Sequence, residues 1–168
     1  MKPGAVVWIT GLPSSGKSSL GKRLQSRLIQ SGTACVMLDS DEIRYSLLPR
    51  PGYSPEERDA FYETLARLAA LFSEQGLVVI VAATSNRAAY RARARGLAPR
   101  FIEVYVQTSL EESERRDSKG LYAQARAGRA PSLPGVGEKY EAPEKPEVVA
   151  RGGFDDGAIE RTIAALGR

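Results

Sequence analysis

The feature of this chain that most restricts its fold is a glycine-rich loop between an apolar run and an amphipathic segment. Residues 11–18 read G-L-P-S-S-G-K-S and follow the apolar run at residues 5–10. Leucines then recur at positions 20, 24 and 28, which is helical spacing. A loop of this kind between a strand and a helix turns its backbone N–H groups toward phosphate oxygens, and the helix N-terminus adds positive potential. The pattern predicts a phosphate-binding turn at the start of an α/β domain.

The side chains of this phosphate loop (residues 11–18) match the requirements of a nucleoside triphosphate bound with magnesium. Lys17 is long enough to reach the β- and γ-phosphates, and the Ser18 hydroxyl is a suitable ligand for Mg²⁺. A turn rich in glycine and serine with an incidental lysine is the alternative, and the strand–loop–helix context disfavours it.

Composition narrows the possible chemistry. The chain has no histidine, which excludes Ser-His-Asp hydrolysis and most zinc sites, whereas phosphoryl transfer depends on positioning and charge. Its single cysteine, Cys35, cannot form an internal disulfide and is typical of a cytoplasmic protein. The net charge of +4 comes from arginines scattered along the chain, so we expect a small anionic substrate and no nucleic acid. No apolar run approaches the roughly 20 residues of a membrane span, so we expect no membrane partner.

Strand-like and helix-like segments alternate along the chain, which predicts a single domain at 1–168 with a parallel sheet covered by helices. The most apolar strand, residues 77–83, is predicted to be central. Residues 128–146 are rich in proline and glycine and predict a long binding loop or lid. The predicted strands are 6–10, 34–39, 77–83, 101–106 and 148–150. The predicted helices are 17–31, 55–75, 87–95, 110–117, 121–127 and a last one that Asp155 or Asp156 caps.

Two carboxylates end the second strand, where ligands bind in parallel sheets. Asp39 and Asp41 are suited to hold Mg²⁺ or to accept a proton from an attacking hydroxyl, although Asp41 is equally placed to cap a helix. Arg44 and Arg58 are candidates to bind an anionic acceptor, although composition alone favours surface positions.

Further along the chain lie two groups of basic residues. Arg115, Arg116 and Lys119 precede the irregular segment and suit a lid that brings cations over a transferred phosphoryl group; a solvated helix end is the alternative. The other group, a stripe formed by Arg87, Arg91 and Arg95, is predicted to be a solvated helix face.

Several blocks of the sequence together resemble one family. They are W-I-T-G-L-P-S-S-G-K-S-S at 8–19, L-D-S-D-E-I-R at 38–44, Y-S-P-E-E-R at 53–58, F-I-E-V-Y-V at 101–106, R-D-S-K-G-L-Y-A-Q-A-R-A-G at 116–128 and Y-E-A-P-E-K-P-E at 140–147. In order and spacing the chain resembles the adenylylsulfate kinase (APS kinase) family over about residues 6–150. The phosphate loop is shared by many families, whereas the last two blocks are specific.

The resemblance implies a P-loop kinase with a five-stranded parallel sheet, helices on both faces and a lid at about 117–147. It implies a homodimer that transfers the γ-phosphate of MgATP to the 3′-hydroxyl of adenosine 5′-phosphosulfate (APS), forming PAPS. ATP and Mg²⁺ are therefore the expected cofactors.

The resemblance also assigns residues. Those expected to bind ATP are Gly11, Leu12, Pro13, Ser14, Ser15, Gly16, Lys17, Ser18, Ser19 and Arg116. Those expected in catalysis are Lys17, Asp41, Ser85 and Lys119, with Ser18 and Asp41 at the metal. Those expected to contact the acceptor are Asp39, Asp41, Arg44, Arg58, Phe61, Ser85, Lys119 and Leu133.

The chain departs from the family pattern on the acceptor side. Asn86 and Arg87 follow Ser85 in place of Pro-Tyr, Phe61 replaces an asparagine that contacts the acceptor, and Leu133 replaces a phenylalanine that stacks on its adenine. Phe61 offers a replacement aromatic face. Two alternatives therefore stay open: a sibling kinase with another nucleotide-like or sugar-like hydroxyl acceptor, and a nucleotide-binding protein without catalysis.

Overall fold

The structure, a computed structural model, describes residues 4–167, so the predicted domain limits at 1 and 168 lie outside the described residues. Its five strands are β1 (Ala5–Thr10), β2 (Cys35–Asp39), β3 (Val78–Ala82), β4 (Phe101–Val106) and β5 (Val148–Ala150). Its helices are α1 (Lys17–Gln30), α2 (Ser40–Ser46), α3 (Pro55–Glu74), α4 (Ala88–Leu97), α5 (Leu110–Arg115), α6 (Leu121–Arg126) and α7 (Asp156–Ala165). The described helices do not include one with the length and apolar character needed to cross a membrane.

The five strands form one parallel sheet in the order β2-β3-β1-β4-β5. This confirms the predicted fold class, but the prediction that residues 77–83 form the central strand is wrong. That position belongs to β1, which pairs with β3 on one side and β4 on the other. Both strands are buried along their whole length, so hydrophobicity could not distinguish the middle strand from its neighbour.

The side-chain alternation of β1 divides the core into two layers. Val7 and Ile9 face α1 and α7, where they pack in a cluster with the α1 leucines. Val6 and Trp8 face the other way, in a cluster with residues of α3 and α4. The sheet is therefore covered on both faces, as parallel sheets require.

Local sequence signals set the helix ends. Ser54 and Glu57 form the predicted capping box at the start of α3, with Pro55 in the first turn. Asp155 caps α7 by accepting a hydrogen bond from the Ala158 N–H. The short helix α2 is the helix for which Asp41 was considered as a cap, but its N-cap is Asp39, which accepts from the Asp41 N–H.

Arg91 corrects the prediction of a solvated arginine stripe on α4. Its side chain is only 4 % exposed and pairs with Glu103 of β4 at 2.9 Å. It also donates to the carbonyl oxygens of Ser85 at 2.6 Å and Glu141 at 2.5 Å. Arg87 is exposed, as predicted. Burial of Arg91 is sustained because each nitrogen of its guanidinium has a partner.

Replacing Arg91 by methionine should destabilise the fold by about 2–4 kcal/mol, because Glu103 would keep only its longer contact with Arg95 at 3.7 Å and the carbonyl oxygens of Ser85 and Glu141 would lose their donor. Urea unfolding measures this. The matched control is Arg87→Met on the same helix, which should change stability by less than about 0.5 kcal/mol. Equal effects of the two substitutions would contradict the assignment of Arg91 to the core.

Candidate active site

A cavity of about 850 Å³ opens at the carboxyl ends of the strands. One end is formed by the phosphate loop and the other by α2, α3 and part of the lid segment, which we define as residues 117–147. Such crevices are where parallel α/β sheets bind ligands. The volume is large enough for more than one small molecule.

The phosphate loop has the backbone shape that its sequence predicts. Gly16 has φ 105°, and a Cβ there would lie 2.5 Å from the Gly153 nitrogen, so only glycine fits. Ser14 also has positive φ, at 60°. The side-chain oxygen of Ser15 is buried without a hydrogen-bond partner. The left-handed backbone of this turn fits a loop built to surround phosphate oxygens.

Lys17 is the cation of this loop. Its Nζ donates to the Leu12 carbonyl oxygen at 2.7 Å. Burial lowers the pKa of Lys17 to about 8, and the nearby carboxylates Asp41 and Asp39 only partly oppose this. An anion bound next to Lys17 would therefore favour the charged form of this lysine and raise its pKa.

Two side-chain oxygens next to Lys17 are placed to bind Mg²⁺, and they are not the pair that was predicted. Ser18 Oγ donates to the carboxylate of Asp39, whereas the prediction paired Ser18 with Asp41. Asp39 is 7 % exposed, and its other oxygen caps α2. A hydroxyl and one carboxylate, completed by phosphate oxygens, form a set that Mg²⁺ prefers. Among residues 4–167 no group of three or more His, Cys, Asp or Glu is arranged to hold a metal.

Asp41 instead forms an ion pair with Lys119 of the lid segment. The hydrogen bond that Lys119 donates to this carboxylate raises the pKa of Lys119. Asp117 holds the turn that carries the lysine, since its carboxylate accepts from the backbone N–H groups of Leu121 and Tyr122 at 2.8 and 2.9 Å. The predicted pair of catalytic side chains therefore lies together at the rim of the cavity.

Arg44 and Arg58 form the opposite end of the cavity. They are 5 % and 9 % exposed, so the expectation of surface arginines was wrong. Arg44 donates to the Gly52 carbonyl oxygen at 2.7 Å, and Arg58 to the Ser132 carbonyl oxygen at 2.6 Å. Within the described residues neither guanidinium forms an ion pair with a carboxylate. Two buried cations without counter-charge make this end suitable for an anion.

Two predicted contact residues are not where the resemblance implied. Ser85 is fully buried: its hydroxyl accepts from Trp8 Nε1 at 2.9 Å and donates to Thr10 Oγ1 at 3.2 Å. Its neighbours Thr84 and Asn86 line the cavity instead. Phe61 is 2 % exposed and lies beneath Arg44, so it offers no face to the cavity. These positions correct a direct role for Ser85 and an aromatic platform at Phe61.

The remaining predicted residues divide between the cavity wall and the loop behind it. Lining residues are Pro13, Ser14, Gly16, Lys17, Ser18, Ser19, Asp39, Asp41, Arg116, Lys119 and Leu133. Gly11, Leu12 and Ser15 support the loop from behind.

Sequence reasoning missed several lining residues. They are Tyr53, Tyr62, Gly153 and Phe154. The glycine pair after the last strand was a usable signal, because a Cβ on Gly153 would lie 2.9 Å from the Gly16 carbonyl oxygen. The aromatic residues gave no local signal, since their positions depend on tertiary packing.

Hydrogen bonds attach the lid segment to the body at several points. Tyr122 donates to the Pro13 carbonyl oxygen at 2.7 Å, which joins α6 to the phosphate loop. Tyr140 bonds Thr10 at 2.9 Å, and Asn86 donates to the Lys139 carbonyl oxygen at 3.1 Å. The segment is thereby fixed at both ends of the cavity.

Fold and site together define a P-loop kinase: a parallel α/β sheet that carries a phosphate loop, with a second anion pocket under a lid segment. The sequence profile of the family described as adenylylsulphate kinase matches residues 3–151. The chain therefore belongs to the adenylylsulphate kinase family.

Individual relatives agree with this assignment. An adenylyl-sulfate kinase of Acaryochloris marina is 40 % identical over 152 residues, which span 89 % of this chain and 74 % of the relative. One of Paraburkholderia xenovorans is 42 % identical over 147 residues, spanning 87 % and 82 %. The structure of the Mycobacterium tuberculosis APS kinase CysC in complex with AMPPNP and APS matches with TM-score 0.92 at 34 % identity, covering 100 % of both chains.

Replacing Tyr122 by phenylalanine should loosen the attachment of the lid segment to the phosphate loop. Loss of one buried hydrogen bond costs about 1 kcal/mol, so global stability should fall only slightly while α6 opens more often. Hydrogen–deuterium exchange should show faster exchange at residues 117–128. Tyr45→Phe, at a position that is 72 % exposed, is the control and should leave this exchange unchanged.

Proposed function

We propose that this protein transfers the γ-phosphoryl group of MgATP to the 3′-hydroxyl of adenosine 5′-phosphosulfate, giving PAPS and ADP. The observation that carries the proposal is a single cavity with a phosphate loop at one end and two buried, unpaired arginines at the other. The 34 % identical M. tuberculosis structure contains an ATP analogue and APS together, and it has the same fold.

The phosphate loop supplies the donor half of the site. Its backbone N–H groups and Lys17 bind the triphosphate, and the N-terminus of α1 adds to the positive potential there. Ser18 and Asp39 would hold Mg²⁺, with Asp41 nearby in the first turn of α2. When bound, the metal would supply charge neutralisation at the phosphate oxygens. Arg116 lines the same region and adds a cation on the lid side.

The acceptor half places the attacking hydroxyl. Arg44 and Arg58 bind the phosphosulfate group, which leaves the ribose directed toward the phosphate loop. Asp41 accepts the proton of the 3′-hydroxyl, and Lys119 moves from Asp41 toward the phosphoryl oxygens as charge develops on them. Leu133 contributes an apolar contact from the lid segment but no aromatic stacking.

A sibling kinase with another acceptor is the second candidate. Leu133, Asn86 and the buried Phe61 all alter the acceptor half, while the donor half keeps its expected residues. A base stacked on an aromatic ring gains about 1–3 kcal/mol, which Leu133 does not supply. The choice of acceptor therefore has to be measured directly.

We further propose that the active protein is a cytoplasmic homodimer with a lid at 117–147 in a single domain. Cys35 as the only cysteine supports a reducing compartment, and the family resemblance supports the dimer. Light scattering after gel filtration tests the assembly: the mass of one chain would contradict the dimer.

ADP release with APS, AMP and other nucleotides as acceptors tests the function. APS should give turnover, and Lys17→Met should reduce it more than about a hundredfold, because the phosphates lose their fixed positive charge. Lys22→Met, on the same helix, is the control and should keep full activity. Turnover with another acceptor but not APS would favour the sibling kinase, and ATP binding without any turnover would favour a non-catalytic protein.

ATP binding should weaken above about pH 8 and take up a proton there. The lowered pKa of Lys17 means that the free protein holds this lysine neutral at higher pH, whereas bound phosphates favour its charged form. Affinity should therefore fall as pH rises from about 8, by at most tenfold per pH unit for one proton. Calorimetry at pH 8.5 in two buffers of different ionisation enthalpy measures the uptake. Proton uptake that persisted in Lys17→Met would have to come from another group.

A further inference from the structure

The Arg44 guanidinium packs against two aromatic rings at the acceptor end of the cavity. Its guanidinium carbon lies 3.8 Å from the centre of the Phe61 ring and 4.5 Å from the centre of the Tyr53 ring. Both distances are within the range of a cation–π interaction, which is strongest where water is excluded. Arg44 is 5 % exposed and Phe61 is 2 % exposed, so water is largely excluded here.

The remaining contacts of Arg44 restrain one side of the guanidinium and leave the other available. The hydrogen bonds described for its side chain run from Nη1, to the carbonyl oxygens of Gly52 at 2.7 Å and Pro51 at 3.4 Å. Nε and Nη2 are therefore available for a ligand in the cavity. The guanidinium is planar, with the Phe61 ring below it and the Gly52 carbonyl at one edge. These contacts therefore fix the direction in which Nε and Nη2 donate.

Phe61 cannot replace the function of the asparagine that the resemblance implies at its position. Its side chain has no hydrogen-bond donor, and its ring is covered by the arginine. Phe61 also packs edge-on against Tyr62, at 5.5 Å between ring centres, which holds the ring in its orientation. The contact that position 61 makes with a ligand is thus indirect, through Arg44.

We infer that Phe61 is a positioning residue for the acceptor: its ring holds the Arg44 guanidinium in the plane from which Nε and Nη2 donate to the anionic group of the substrate. The inference rests on the proposed function for the identity of that substrate. The ligand chemistry it requires is a tetrahedral oxyanion, such as the phosphosulfate of APS. Because a pre-oriented arginine loses less side-chain entropy on binding, the effect should fall on substrate affinity.

Kinetics of Phe61→Leu with APS test this role. The substitution keeps an apolar side chain but removes the ring, so KM for APS should rise about 5- to 30-fold while KM for ATP and kcat change less than about twofold. In an Arg44→Lys background the same substitution should have at most a twofold effect on KM, because the planar partner is gone.

Phe101→Leu is the matched control. Arg95 lies 4.7 Å above the Phe101 ring at the amino end of β4, so the same type of contact is removed at the end of the sheet opposite the cavity. This variant should lose stability without a change in KM for APS. A similar rise in KM in both leucine variants would show a general structural effect and overturn the inference.

A binding measurement separates this inference from the proposed function. The Arg44 Nε–H signal in NMR, identified by its absence in Arg44→Lys, should be shifted by the Phe61 ring current and should respond to added inorganic sulfate. Phe61→Leu should abolish the ring-current shift and weaken the sulfate response about 5-fold or more. If the wild type fails to turn over APS, the proposed function is wrong and the sulfate titration alone decides the role of Phe61. The positioning role of Phe61 would be overturned if Phe61→Leu bound sulfate with unchanged affinity. It would also be overturned if the Arg44 signal of the wild type did not respond to sulfate.

Discussion

The parallel pairing of β1 with β3 and β4 is the constraint on which the site depends. Because all these strands run in the same direction, their carboxyl ends lie along one edge, and the loops that follow them converge. The phosphate loop follows β1, Asp39 ends β2, and Thr84 and Asn86 follow β3. Successive side chains of β1 join different core clusters, so a shift by one residue would exchange Val7 and Ile9 with Val6 and Trp8.

Positive charge buried without carboxylate partners is what converts this edge into a binding site. Lys17, Arg44 and Arg58 are held by backbone carbonyl oxygens, which orient them but do not neutralise them. Arg91 shows the contrast: it is buried equally deeply but pairs with Glu103, and it lies behind the cavity. A buried cation with a carboxylate partner belongs to the scaffold, whereas one held only by carbonyls is available to an anionic substrate.

The sequence predicted the parts of the molecule whose signals are local. Strand and helix periodicity, the Ser54 capping box and the glycines of the phosphate loop lie in neighbouring residues, and the structure agrees with them. The cap of the seven-residue helix α2 was assigned to the wrong aspartate, because Asp39 both ends a strand and caps the helix. The burial of Arg91 and the position of Phe61 beneath Arg44 depend on contacts between distant elements. Sequence spacing alone does not predict these contacts.

Three of the bonds that hold the lid segment to the body use the main chain of the lid. Arg58, Asn86 and Arg91 donate from the body to the carbonyl oxygens of Ser132, Lys139 and Glu141. Any amino acid at these three lid positions supplies the same carbonyl, so substitutions there leave the docking bonds intact. Side chains at these positions are therefore not what these three bonds depend on. Leu133 adjoins Ser132 in the same part of the lid and has no docking bond through its side chain, so a change at this position alters the acceptor end of the cavity and leaves the three bonds in place.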